Sequence, residues 1–390
     1  MEPEAYSGLI CLSCGSAGTL EGCSGACPAC GGILEADYEL EAVDTDTINR
    51  DGHHSMWAFD ALLPVGRGEA VSLGEGDTPL LACADIAAEL GVDQVFVKDE
   101  GQNPTGSIAD RGLAVCLSMV QPPSIAIGAA GDAGQSAAAY GARAGVESHV
   151  FLPARAPFAS KAMVNVHGAD MTVVGGRRGD ATAAAESTAA EEGWSLIQPF
   201  GTPGLVEGAK TAGYELLEAL DWTAPDAIVC PTGTGTTLVG VSRAMQECRA
   251  LGLIEDRPRL YAAQAAGCAP IVEAVEAGAD EVTAVEVPDT ICGELEVAKP
   301  RGGSLVLEAI RDSDGGAVAT EDPAILDSAT AIAAATGLEL GPAGAAAASG
   351  AWELADRDEL RSAETVVLIN PGGAVRSADV LRSHLMGQGI

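Results

Sequence analysis

Two kinds of residue spacing in this chain could do chemistry. The first is a double Cys-x-x-Cys: Cys11 with Cys14, then Cys27 with Cys30, separated by twelve residues. Gly15 follows the first pair and Gly31-Gly32 the second, so backbone amides can approach the sulfurs. Four thiolates in two such turns suit tetrahedral Zn²⁺, and a site closed by four sulfurs is structural, not catalytic. A redox pair would be a single Cys-x-x-Cys beside a βαβ unit. Cys23, lying between the pairs, is an alternate ligand. The second kind is a set of strand–loop–helix junctions with small and hydroxyl side chains. One carries Ser107 after the strand-like run 94–98. One carries Asp132 in the Gly-rich run 128–136. One carries Gly233, Thr234, Gly235, Thr236 and Thr237 after the apolar strand 227–230. Amides at a helix N-terminus, helped by hydroxyls, cradle anions such as phosphate. A lone Gly-x-Gly also suits a plain strand–turn–helix connection.

Amines that could act as nucleophiles are scarce. Lysine occurs only at Lys98, Lys161, Lys210 and Lys299. His167, before Gly168, reads as a helix C-terminal residue and not as a catalyst.

The elements that must position these residues follow from periodicity. Short apolar runs alternate with helical stretches of 10–15 residues, which argues an α/β fold with a parallel sheet and crossovers. Strands are expected at 124–127, 149–153, 171–174, 227–230, 259–264 and 364–370. Helices are expected at 113–120, 137–145, 180–192, 305–313, 324–336 and 343–357. Abundant Gly and Ala with only 4% aromatics imply helices packed closely through small side chains.

The net charge is −35, from 56 acidic and 21 basic residues spread along the whole chain. This argues against a disordered acidic tail and for a dispersed anionic surface, as suits a halophilic protein working at high salt. No basic patch is present for a nucleic-acid partner. No apolar run reaches membrane-spanning length, and the acidic opening residues do not read as a signal peptide, so the expectation is cytoplasmic. In that compartment the eleven cysteines read as a metal site plus buried thiols.

Several stretches together resemble threonine synthases, in the right order and over nearly the whole chain to Leu385. Residues 56–64 read MWAFDALLP against a family MWRYxxLLP. Residues 72–80 read SLGEGDTPL against SLGEGxTPL, and residues 104–112 read PTGSIADRG against PTGSFKDRG. The segment around Gln264, Gly267, Cys268, Ala269, Pro270 and Ile271 matches as well, and so does the turn 288–293. The resemblance implies a two-lobed, fold type II pyridoxal-phosphate architecture of the tryptophan synthase β kind. The N-terminal module, zinc-ribbon-like with its linker, would span 1–50 and the body 51–390. The smaller lobe would be about 104–195 and the larger about 51–103 plus 196–390. The family converts O-phosphohomoserine and water into threonine and phosphate, using pyridoxal phosphate on a Schiff-base lysine.

Carried over by position, Ser107, Asp132, Gly233, Thr234, Gly235, Thr236, Thr237 and Pro371 would line the cofactor. Four family contacts are altered: Ala109 stands at the lysine, Asp132 at an asparagine facing the phenolic oxygen, Pro371 at a threonine or serine facing the pyridine nitrogen, and Ala58 at an arginine. An ionised carboxylate cannot donate to a phenolate, and proline has neither hydroxyl nor N–H. The expectation is therefore a catalytically inactive or diverged homologue that binds a small phosphorylated or amino-acid ligand, as a homodimer or as a heteromer with an active paralogue. An active pyridoxal-phosphate lyase or synthase with a non-standard site is the alternative. A zinc-ribbon partner-binding protein is the third reading.

Overall fold

The computed structural model describes residues 3–48 and 54–387. Part of the polar link expected at 43–55 lies outside them. The chain divides into two compact units, one of Met1–Asp77, Asn103–Glu215 and Arg243–Leu253, the other of Thr78–Gln102, Leu216–Ser242 and Ile254–Ile390.

The first unit opens with a small antiparallel sheet, Ala17–Gly18, Tyr6–Cys11 and Leu34–Tyr38 in that order, with Leu9 opposite Ala36. Among the described residues its buried apolar core is Leu9, Cys11, Cys27, Leu34 and Ala36, with Tyr6, Leu20 and Tyr38 packed against it. So small a core needs another tie. One comes from the rest of the unit: Arg243 pairs with Glu35 at 2.7 Å, and the Tyr38 hydroxyl donates to Glu207 at 2.5 Å. Lys210 sits 4.0 Å over the Tyr38 ring. Cys23 belongs elsewhere. It is buried in the main core of the unit, its thiol directed at the Val120 carbonyl, and its amide bonds Ser195. It is therefore not an alternate metal ligand.

The unit's second sheet is parallel throughout, in the order Asp170–Val174, Glu147–Pro153, Ser124–Gly128, Ser195–Ile197. Helices Ala109–Met119, Asp132–Ala144, Phe158–Val166 and Arg178–Glu192 accompany it. His167 caps the C-terminus of Phe158–Val166, as its position before Gly168 suggests. Helix Gly204–Ala219 crosses Ala109–Met119 closely. A side chain at Gly208 would lie 2.2 Å from the Arg111 carbonyl oxygen, and one at Gly204 would lie 2.8 Å from the Cys116 backbone.

The second unit holds a six-stranded sheet in the order Gly316–Thr320, Arg259–Ala265, Ala227–Pro231, Thr365–Asn370, Gln94–Asp99, Leu80–Ala82. The first five strands are parallel, and Leu80–Ala82 pairs antiparallel at one edge. Helix Pro342–Asp356 packs on it through Ala345, Ala346, Ala347, Ala348 and Ala351, all fully buried. Small side chains let the helix approach the strands, as the composition suggests. Among the described residues no helix is long and apolar enough to cross a membrane.

Candidate functional site

The loop 104–112 is held by its own polar residues. Asp110 is fully buried and accepts the Thr105 amide at 2.7 Å, the Thr105 hydroxyl at 2.6 Å and the Ser136 hydroxyl at 2.6 Å. Burial pushes its carboxyl up to about 6 although these bonds draw it down. Arg111 is also fully buried. Its two terminal nitrogens meet the two Glu215 oxygens at 2.8 and 2.7 Å, and one also reaches the Thr211 hydroxyl at 2.9 Å. Glu215 in turn accepts the Asp77 amide at 2.8 Å. Gly106 takes φ +76°, which favours glycine, and its amide bonds the Asn103 carbonyl at 2.7 Å.

Ala109 is the first residue of helix Ala109–Met119 and only half-buried, packing at the margin of the core. Its amide points at the Ser107 hydroxyl at 3.3 Å, and Ser107 is buried. So the recognisable charged letters of this loop serve the fold, and the helix begins earlier than the expected 113. Asp110 and Arg111 read as polar in sequence, but Asp110 is buried on an amide and two hydroxyls and Arg111 on the Glu215 carboxylate.

Elsewhere in the first unit, Asp132 begins helix Asp132–Ala144, where a carboxylate is favoured by the helix dipole. Ala58 is buried in the short helical run Met56–Leu62. Beside it the Trp57 indole donates to Glu75 at 2.6 Å, and the Tyr140 hydroxyl donates to the other Glu75 oxygen at 2.7 Å. Burial and this carboxylate hold the Tyr140 phenol far above its ordinary range.

In the second unit, strand Ala227–Pro231 leads through 232–235 into helix Thr236–Ala250. Gln264 secures the turn: its amide donates to the Thr232 carbonyl at 2.9 Å, and its oxygen accepts from Ile271 at 2.8 Å. Gly233 is required by packing, since a side chain there would meet the Glu294 carbonyl oxygen at 2.2 Å. Gly235 takes φ +88°. The Thr234 and Thr236 hydroxyls are 3.0 Å apart, and with Thr237 they stand at the start of the helix. Strand Thr365–Asn370 ends on a residue that sequence reading passed over. Asn370 is buried, donates to Asp99 at 2.8 Å and keeps a buried side-chain oxygen without a hydrogen-bond partner. Pro371, next in sequence, is half-buried. The signal for Asn370 was an amide at the end of an otherwise apolar strand.

The lysines are placed as follows. Lys98 is buried, donates to the Thr78 carbonyl at 2.7 Å and lies 4.0 Å from Glu100. Lys210 is buried between Glu207 at 2.7 Å and Glu247 at 3.0 Å. Lys161 bonds the Ala154 carbonyl, and Lys299 is exposed. Cys11, Cys14, Cys27 and Cys30 do come together, with sulfurs within 4.8 Å of one another. The separations include 3.5 Å for Cys11–Cys30, 3.4 Å for Cys14–Cys30 and 3.6 Å for Cys14–Cys27. A tetrahedron with Zn–S of about 2.3 Å has edges of about 3.8 Å, so this set could hold such an ion. A side chain at Gly32 would lie 2.9 Å from the Cys11 sulfur, so glycine keeps the knuckle open.

The family described as "Pyridoxal-phosphate dependent enzyme" matches residues 71–372. The chain is 32% identical to the threonine synthase of Methanosarcina acetivorans over 369 residues, covering 93% of this chain and 91% of that one. It is 30% identical to the threonine synthase of Methanocaldococcus jannaschii over 377 residues, covering 95% and 93%. Among solved structures, the processed form of threonine deaminase isoform 2 from Solanum lycopersicum superposes with a TM-score of 0.68. There the identity is 21%, over 80% of this chain and 88% of that one. The chain belongs to the fold type II pyridoxal-phosphate-dependent enzymes, as a homologue of threonine synthases.

Proposed function

We propose that this threonine synthase homologue keeps the family fold without its lysine-based reaction and binds a small phosphorylated or amino-acid ligand. Pyridoxal phosphate, attached to a lysine, supplies an electron sink for chemistry at an amino acid's α-carbon. The residues present do not fit that attachment, and Ala109 carries the reading. A methyl group stands at the lysine position of a loop whose other polar residues are engaged in the fold. Two of the four lysines are buried against carbonyl or carboxylate oxygens, and the other two lie towards the surface. Asp132 cannot donate to a phenolate, and Pro371 can offer a pyridine nitrogen nothing. Retention of an anion is supported by the amides and threonine hydroxyls at the start of helix Thr236–Ala250. The assembly proposed is a homodimer or a heteromer with an active paralogue. The cysteine cluster is read as a structural Zn²⁺ site that supplies the stability its small core lacks.

The test uses full-length protein purified at high salt, with and without added pyridoxal phosphate. Absorption spectra, borohydride reduction followed by intact mass, and threonine formation from O-phosphohomoserine are measured. The expected result is no reducible covalent adduct and no threonine above background. A reduced cofactor fixed to the chain, or robust threonine formation, would overturn the reading in favour of an active enzyme with a non-standard site. Metal analysis is expected to find zinc, reduced in Cys14→Ser.

A further inference from the structure

A second group of metal-type ligands lies on the parallel sheet of the first unit, outside everything the proposed function uses. His149 on strand Glu147–Pro153 pairs across the sheet with Asp170 on strand Asp170–Val174. Glu147 is two residues earlier on the same strand, and side chains at that spacing share a face. One ligand atom from each of the three residues falls within 4.8 Å of the others. The two ring nitrogens face the carboxylates, Nε2 at 3.8 Å from Glu147 and Nδ1 at 3.7 Å from Asp170. Both separations are longer than a hydrogen bond.

His149 is the independent observation. It is only 8% exposed, and its Nε2 is buried with no hydrogen-bond partner. An orphaned buried nitrogen facing a carboxylate it does not bond calls for something to fill the gap. The ring is also fixed in orientation. It stacks on Trp194 with centroids 3.4 Å apart and an interplanar angle of 2°. Stacking covers a ring face but leaves the in-plane lone pair of the unprotonated nitrogen open, as coordination requires. The carboxylates are 66% and 80% exposed, so they are free to close on an ion.

We infer that Glu147, His149 and Asp170 form a divalent-cation site. One imidazole and two carboxylates, with no sulfur, suit borderline ions such as Ni²⁺, Co²⁺ or Zn²⁺ completed by water. The two formal negative charges, on a chain of net charge −35, attract the cation.

Trp194 makes the test direct. Full-length protein whose cysteine cluster is first loaded with zinc is titrated with Ni²⁺, following tryptophan emission and, in parallel, heat of binding. The expected result is saturable quenching together with saturable binding. Trp194→Phe should lose most of the quenching and keep the binding. His149→Gln should weaken binding by at least about tenfold. Should His149→Gln fail to fold, the exposed pair Glu147→Gln with Asp170→Asn decides, and the same loss is expected. No saturable binding in the zinc-loaded protein, or an unchanged titration in these ligand variants, overturns the proposal.

Discussion

Glu215→Gln removes the counter-charge of a fully buried arginine. Arg111 and Glu215 are both 0% exposed and bonded through two parallel contacts of 2.8 and 2.7 Å. The same carboxylate accepts the Asp77 amide. A glutamine keeps the shape but leaves the guanidinium charge buried without its ion partner. Breaking such a pair costs about 3–5 kcal/mol, whereas an exposed pair such as Arg357 with Glu353 is worth about 0–1 kcal/mol. In urea unfolding at fixed high salt, with a slope of about 3 kcal/mol per molar, the midpoint should fall by roughly 1–1.7 M. Replacing both partners together, Arg111→Met with Glu215→Leu, should recover much of the loss, because apolar residues of similar volume need no counter-charge. The loss should be the same with and without pyridoxal phosphate, since the pair fastens two helices. A Glu215→Gln protein within about 1 kcal/mol of wild type would refute this account. So would Arg111→Met that stays fully stable and loses ligand binding, because the arginine would then be kept for the ligand.

Three further outcomes follow from the same structure. Burial raises Asp110 to about 6 from an ordinary 3.8, so between about pH 4 and 6 the folded chain holds a proton that the unfolded chain has released. Wild type should therefore lose stability relative to Asp110→Asn as pH rises through that window, by about 3 kcal/mol in all; a difference flat from pH 4 to 8 in urea unfolding would contradict it. Ala109→Lys places an amine on a half-buried first helical residue, so it should fold and form a borohydride-reducible adduct with added pyridoxal phosphate. Its threonine formation should stay far below that of active family members, and full activity would show that Asp132 and Pro371 do not matter. With a net charge of −35, raising KCl from 0.1 to 1 M shortens screening from about 10 to about 3 Å and should raise the melting temperature, and no rise would argue against a high-salt adaptation.

Most of the architecture was legible because apolar runs and Gly-rich junctions mark strands and helix starts. Strand Arg259–Ala265 and helix Pro342–Asp356 fall within a residue of their expected bounds. Helix Gly204–Ala219 was not read from the sequence because Glu207, Lys210 and Glu215 interrupt its apolar pattern. All three are buried and paired, which no local pattern announces. The short strands Leu80–Ala82 and Ser195–Ile197 owe their form to a neighbouring strand and carry no signal of their own. The cysteine cluster was readable because its members come as two Cys-x-x-Cys pairs. The Glu147, His149 and Asp170 group was not, because strand pairing brings Asp170 to His149 across more than twenty positions of sequence.

The stretch 104–112 shows why resemblance and reactivity can separate. Asp110 and Arg111 sit at full burial with several bonds each, so replacing either costs several kcal/mol, a large share of the margin by which a domain stays folded. Position 109 is half-buried at the start of a helix, where alanine has the most favourable intrinsic propensity. Physical constraint on the fold therefore holds the motif's recognisable letters in place whether or not the reacting amine is there. It follows that the strength of the family match reports on Thr105, Asp110, Arg111 and their partners, and carries little information about the chemistry at position 109.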